Sequence, residues 1–242
     1  ASDGYKREED VPPAAGRADV LEINYGLSGR CEWAMGAGCV QYIGEGDRRV
    51  SAESNHSHRT ILPLGRYSGL VILIDLPAIN TILPNIIPEL DIDLTALMNR
   101  IFTRCGCYIV PARDEVQQLF ACLPAAPTEA KSVLCRLKAQ ELLLFLHYFR
   151  PEQEKQKKVY ERQQVELIKQ IRKQLTAHPG IRYTIEDLSR QYGMSPTVLK
   201  ANFKGVYGVS IASYMKDYRM QYAASLLRDT PISIAEIATQ VG

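Results

Sequence analysis

Hydrophobic and polar positions change rhythm partway along this chain. From Asp19 to about Ile74, short apolar runs are broken by glycines. VLEINYGLSG, CEWAMGAG, CVQYIGEGD and YSGLVILID read as strands with turn signals at roughly ten-residue intervals, which predicts a small antiparallel barrel or sandwich. GEGD at 44–47 is a turn that returns a strand across the sheet. After Leu76 the period becomes helical. Leu94–Arg104 and Asp114–Leu123 are short candidates, and Thr128 is a good N-cap for a long helix from Glu129 to Phe149, stopped by Pro151. Val133, Leu134, Leu137, Leu142, Leu144, Phe145 and Tyr148 wrap round more of that helix than one core needs. Its own barrel, or a partner helix from this chain or a second copy, would cover the surplus.

Arg150–Gln164 (RPEQEKQKKVYERQQ) is highly charged and almost free of large apolar groups, so it reads as a solvated connector. Beyond it, Val165–Ala177, Thr184–Tyr192, Ser195–Tyr207, Ile211–Arg228 and Ser233–Gln240 read as helices. The polar opening, which ends in Val11-Pro12-Pro13-Ala14-Ala15-Gly16, reads as a loose arm. The expected organisation is an arm at 1–18, a sheet-based domain at 19–150, a connector at 151–164 and a helical domain at 165–242.

The most informative stretch lies in that last part. Leu188 and Tyr192 place apolar groups on one face of a short helix, and Gly193 supplies a φ-permissive turn. Ser195 is a natural N-cap, with Pro196 at the first helical position, where its missing N–H costs nothing. Val198, Leu199 and Phe203 repeat at helical spacing, so a second helix packs on the first. Thr197, Lys200, Ala201 and Lys204 are left toward solvent. Two helices about a short Gly-containing turn are the geometry of a helix-turn-helix, and also of an ordinary helical hairpin.

Composition narrows the class. With 242 residues, 46% hydrophobic and 23% charged, the chain has the make-up of an ordinary globular protein of one large or two ordinary domains. Its net charge of +2 is unevenly spread: from Val159 onward 11 Lys and Arg face 7 Asp and Glu, against 18 and 20 before it. A basic bias in the helical part fits phosphate contacts. Asp75, Pro77, Asn80, Pro84 and Asn85 interrupt the longest apolar stretch, Gly69–Pro88, so no membrane span is expected. Six cysteines in a chain this long make no disulfide framework, and no signal peptide is seen, so a reduced, cytoplasmic protein is expected. The chain begins at Ala1 rather than Met, so the recorded start is not expected to be that of the gene product.

From 184 to 242 the strings TIEDLSRQYGMSPTVLKANFKGVYGVS, YMKDYRMQYAASLLRDT and PISIAEIATQVG together resemble the AraC/XylS transcription regulators. The resemblance implies two helix-turn-helix units joined by a linker helix, with recognition helices about one DNA turn, ~34 Å, apart. Tyr214, Arg219, Met220, Ala223, Leu226 and Leu227 match the linker helix, and Ile234, Ala235, Ile237, Ala238, Val241 and Gly242 match the start of the second unit. Gly242 falls in the turn of that unit, so the second recognition helix is expected to be missing and DNA binding by this chain to be weak. On the first recognition helix, Thr197 and Lys200 are the expected base readers. Ala201 stands where relatives often carry a longer polar residue and is limited to a contact such as a thymine methyl. Lys204 is expected on a phosphate, and a backbone N–H near Thr184 or Ser195 is a further phosphate donor.

More loosely, residues 19–150 are similar to the family's cupin-like sensory barrel with dimerisation helices. The implied whole is an α+β protein: a cupin-like β-barrel and dimer helices, then an all-α DNA-binding domain. Implied partners are promoter DNA, an unknown small-molecule effector, a second copy of the chain and RNA polymerase. Leu134, Leu137, Leu144 and Tyr148 are the expected dimer contacts. Tyr25, Trp33 and Tyr42, aromatic residues on strands, with Arg30 and Glu32 beside them, are candidates to hold the effector. His56 and His58 form the one tight histidine pair and are expected in a polar loop or against the effector. They lack the following carboxylate and nearby third histidine of a metal cupin, and Cys105-Gly106-Cys107 is one CxC without a second pair. No cofactor, no metal and no catalysis are therefore expected, and no serine triad, phosphate loop or carboxylate pair argues otherwise. The opposing class is a cupin-type metal enzyme or small-molecule-binding protein with an appended helical domain. A third is a regulator controlled by a protein partner instead of a metabolite.

Overall fold

A computed structural model of the chain describes residues 19–35, 38–52, 61–86, 93, 96, 99, 107–111, 126–150 and 157–242. The arm at 1–18, the pair His56 and His58, Cys105, the helix candidate Asp114–Leu123 and most of Leu94–Arg104 lie outside the described residues. The chain divides into two compact units, one of Ala1–Met35 with Gln41–Lys157, the other of Gly36–Val40 with Lys158–Gly242. No helix among the described residues is long and apolar enough to cross a membrane.

The first unit is a curled antiparallel sheet. Its strands are β1 (Val20–Met35), β2 (Cys39–Gly44), β3 (Asp47–Ala52), β4 (Tyr67–Asp75) and β5 (Cys107–Pro111). Strands run in the order β5-β3-β1-β2, and β4 pairs with the first half of β1. The turn expected between VLEINYGLSG and CEWAM is absent, and both are parts of one strand of 16 residues. A bulge between Gly26 and Ser28 shifts the register against β4, and Gly29 takes φ +74° to follow it. A Cβ at Gly26 would collide with the Gly44 carbonyl, so only glycine lets these backbones approach. Strand β5 has no counterpart in the sequence reading, which places helices on both sides of it.

One face of the sheet is apolar and built by alternation. Leu21, Ile23 and Tyr25 of β1 join Val50, Ile74 and Tyr108 in a core closed by Leu142, Leu143, Leu146 and Phe149. These last come from α2 (Thr128–Tyr148) and its C-cap; α1 (Leu76–Ile86) adds Leu76 and Leu83. Thr128 is the first helical residue of α2, not its cap. Pro127 occupies that position and no side chain caps the end. Arg48 is buried on the same face beneath Phe145 and Phe149, with its guanidinium 4.7 and 5.1 Å from their ring centres.

The second unit is helical: α3 (Arg162–Ala177), α4 (Ile185–Tyr192), α5 (Pro196–Tyr207), α6 (Ile211–Asp229) and α7 (Ile234–Val241). Val165, Ile168, Ile171 and Leu175 line one face of α3 at helical spacing and pack into a core with Leu188, Leu199, Phe203 and Val206. Within the charged segment read as a connector, residues 157–164 are exposed or half-buried, yet they carry regular structure. A short strand, β6 (Tyr160–Glu161), pairs with Val40 and Cys39, and α3 begins at Arg162.

Candidate nucleic-acid interface

Local capping chemistry sets the frame of α4 and α5. Thr184 Oγ1 accepts the Asp187 backbone N–H at 3.1 Å, which opens α4. Gly193 closes it in the left-handed region, φ 63° and ψ 29°. Two residues on, Ser195 Oγ accepts the Val198 N–H at 3.3 Å, with Pro196 in the first turn of α5. Gly208 ends α5 at φ +81°, and Ser210 caps α6 by accepting from Ser213. Each break in the helical run thus falls where a residue satisfies an orphan backbone group.

The buried face of α5 carries Leu199, Asn202, Phe203, Val206 and Tyr207. Phe203, Tyr207 and Tyr214 of α6 form an aromatic trio with ring centres 4.7, 5.2 and 5.6 Å apart. Arg172 Nε of α3 donates to the Tyr214 hydroxyl at 2.7 Å. Tyr192 donates its hydroxyl to Gln174 Oε1 at 2.7 Å, and burial pushes its phenol pKa above the usual range, with Tyr183 adding to the shift. This packing leaves the opposite face of α5 open. Ser195, Thr197, Lys200, Ala201 and Lys204 are all exposed, on the first turn and along one side. Val198 does not pack inward as its spacing suggests; it is 40% exposed and Leu199 takes the buried place.

On the sheet, the bulge in β1 reverses the alternation and decides which candidates meet. Glu22 and Asn24 face away from the α2 core and lie beside Ser51 and Arg49 of β3 and beside Leu73 and Val71 of β4. Past the bulge Trp33 comes onto this same face, its ring centre 3.6 Å from the Arg49 guanidinium. Tyr67 donates its hydroxyl to Asn24 Oδ1 at 2.6 Å. Burial, the largest cause, with Cys31 next, raises the Tyr67 phenol pKa well above its ordinary value. Arg30, Glu32 and Tyr42 make a separate group: Tyr42 donates to Glu32 Oε2 at 2.7 Å and the Arg30 guanidinium lies 5.3 Å from the Tyr42 ring centre. Tyr25 joins neither, since it is packed into the core against α2. On α2, Leu137, Leu144 and Tyr148 are exposed and Leu134 is half-buried.

Two groups escape the sequence reading. Glu22 and Arg49 form a buried ion pair at 3.3 Å; the only signal was an Arg-Arg pair inside a six-residue strand. Asn202 is buried on α5, where it accepts from Lys158 Nζ at 3.2 Å and donates to Gln164 Oε1 at 3.1 Å. Among the described residues no group of three His, Cys, Asp or Glu is placed to hold a metal ion.

A capped helix, a left-handed glycine turn and a second helix with an anchored inner face and a polar outer face define a helix-turn-helix. Residues 188–242 match the family model described as a helix-turn-helix domain. The chain is 31% identical over 114 residues to the HTH-type transcriptional regulator ExsA of Pseudomonas aeruginosa. That match takes in 47% of this chain and 41% of ExsA, so the chain spans less than half the length of this relative. Among solved structures, an apo form of ToxT from Vibrio cholerae superposes with a TM-score of 0.40 at 13% identity, over 98% of this chain and 85% of that one. The AraC-like transcriptional activator CuxR does so with a TM-score of 0.32 at 13% identity, over 86% and 68%.

Proposed function

We propose that the protein is a transcription regulator that binds duplex DNA with α5 as its recognition helix. The observation that carries this is the division of α5. Leu199, Phe203 and Tyr207 fix it to the domain core while Thr197, Lys200, Ala201 and Lys204 face out. Thr197 and Lys200, in the first half of the helix, are the base readers, and Ala201 has room only for an apolar contact such as a thymine methyl. Lys204 and the N–H groups behind Ser195 take phosphate. The HTH-type transcriptional regulator ExsA supports the same role. Binding measured on the full chain should weaken linearly in log affinity against log salt. Binding that ignores salt would sink this reading.

We place a small-molecule effector on the face of the sheet turned away from α2. There Val71 and Leu73 are 50% and 55% exposed beside the buried polar group of Glu22, Asn24 and Arg49. Two copies pair through α2, and effector occupancy changes how the recognition helices are presented. RNA polymerase is the expected further partner and the cytoplasm the expected compartment. The role is one of binding, not catalysis.

A further inference from the structure

We infer that β6 is a positioning element for α5, itself held in place by its pairing with Val40 and Cys39 and by the Gly38 carbonyl. The inference rests on the reading of α5 as the DNA-contacting helix. Strand β6 is two residues long, too short to be placed by its own pairing, so its neighbours decide where it sits. On one side Val40 pairs with Tyr160 and Cys39 with Glu161. Next to that pairing, the Arg162 N–H donates to the Gly38 carbonyl at 2.9 Å. Arg162 opens α3, and the Glu161 side chain gives no cap. The hairpin carbonyl therefore satisfies one of the orphan N–H groups of the first turn.

On the other side β6 grips α5. A Cβ at Gly205 would collide with the Tyr160 hydroxyl and lie 2.7 Å from its Cε1. Lys158 Nζ reaches the buried Asn202 at 3.2 Å and lies 5.1 Å from the Tyr160 ring centre. Asn202 and Gly205, three apart, share a helix face, and it is opposite to that of Lys200 and Lys204.

The test uses the full chain and a duplex of roughly 30 base pairs, long enough for two half-sites. The unsubstituted chain selects that duplex from a randomised pool, and a scrambled duplex of the same length gives the reference affinity. Helix propensity alone favours alanine at position 205, so a loss in Gly205→Ala comes from the collision. Its affinity ratio, selected over scrambled, should fall about tenfold or more, roughly the discrimination of one base contact. Binding to the scrambled duplex should persist, which a merely unfolded domain would not show. Tyr160→Ala alone should lower the same ratio, because α5 then loses the group that seats its back. Gly38→Val has open space for its side chain but strains a residue at φ +72°, and should lower the same ratio without touching α5. Should Gly205→Ala fail to fold, Tyr160→Ala and Gly38→Val each still report. An unchanged ratio in Gly205→Ala, Tyr160→Ala or Gly38→Val overturns the positioning role of β6 while leaving α5 as the recognition helix. A chain that never prefers one duplex over another removes both.

Discussion

The Arg49 guanidinium bridges two strands: it lies 3.3 Å from Glu22 Oε1 on β1 and donates to Ser51 Oγ of its own strand at 2.6 Å. Both charges are almost fully buried, and the Trp33 ring stacks on the guanidinium. Removing one member takes the opposite charge from the other, so Glu22→Leu or Arg49→Met should each cost about 3–5 kcal/mol. Combining the two should recover most of that, because an apolar pair of similar volume carries no desolvation cost. Trp33 is the chain's one tryptophan and sits on the pair, so urea unfolding followed by its emission reads the effect directly. A double variant as unstable as the sum of the singles would show that the two charges do not act as a pair.

Thr197 and Lys204 should separate in a binding experiment. On the phosphate role proposed for Lys204, Lys204→Ala should lower affinity about equally on all duplexes and shrink the salt slope by roughly one. Thr197→Ala should leave the slope alone and relax preference at one base pair by about 1–3 kcal/mol. If Lys204→Ala changes sequence preference instead, the roles are reversed.

Leu134, Leu137, Leu144 and Tyr148 follow each other along α2 at steps of 3, 7 and 4, and Glu141 fills the place between. Those steps have the spacing of a two-helix seam with one charged position, and Glu141 is turned to Lys138 Nζ at 2.7 Å. Leu137→Lys with Leu144→Lys should convert a dimer to a monomer in native mass spectrometry. A mass unmoved by the pair of changes would exclude this seam.

Cysteine reactivity should follow burial. Cys31 is buried, which pushes its thiol up to about 12; Arg49 lowers it and Glu32 raises it by smaller amounts. The thiolate is the nucleophile, so Cys31 should resist alkylation at pH 8 until the chain unfolds. Cys135, exposed on α2, should react in the folded protein. Peptide mapping after iodoacetamide decides it, and early labelling of Cys31 would contradict the packing of β1.

The helical unit was readable because its signals are local. Thr184, Gly193, Ser195 with Pro196, Ser210 and Ser233 each mark a helix end within a few residues of sequence. The sheet was harder, since Gly26 and Gly29 punctuate like turns but serve a bulge whose need arises only when Gly44 and Arg66 come close. Tyr25 was misplaced for the same reason: the bulge, not the spacing, determines which β1 residues share a side with Trp33. In β6 the charges of the surrounding segment hid two residues that pair with Cys39 and Val40, some 120 positions away. No window of sequence contains both partners of such a contact.

Ser233 and Glu236 close a capping box at the start of α7, and this makes the helix end sensitive to acid. Ser233 Oγ accepts the Glu236 N–H at 3.3 Å, and Glu236 Oε2 accepts both the Ser233 N–H and its hydroxyl at 2.8 Å. Those two donors, the backbone first, hold the Glu236 carboxyl below its ordinary range. In the unfolded chain they are absent and the carboxyl returns to its ordinary value. A group depressed on folding stabilises above its unfolded pKa and loses that contribution as pH falls through the folded one. The start of α7 should therefore loosen in acid, read as a loss of helical ¹³Cα secondary shift at Ala235 and Ala238. The carboxyl signal of Glu236 should titrate below that of a free glutamate. Glu236→Gln keeps an oxygen to accept from Ser233 and removes the titration, so its α7 shifts should stay flat across the same range. A wild-type midpoint at or above the free value would mean that the box does not close in solution.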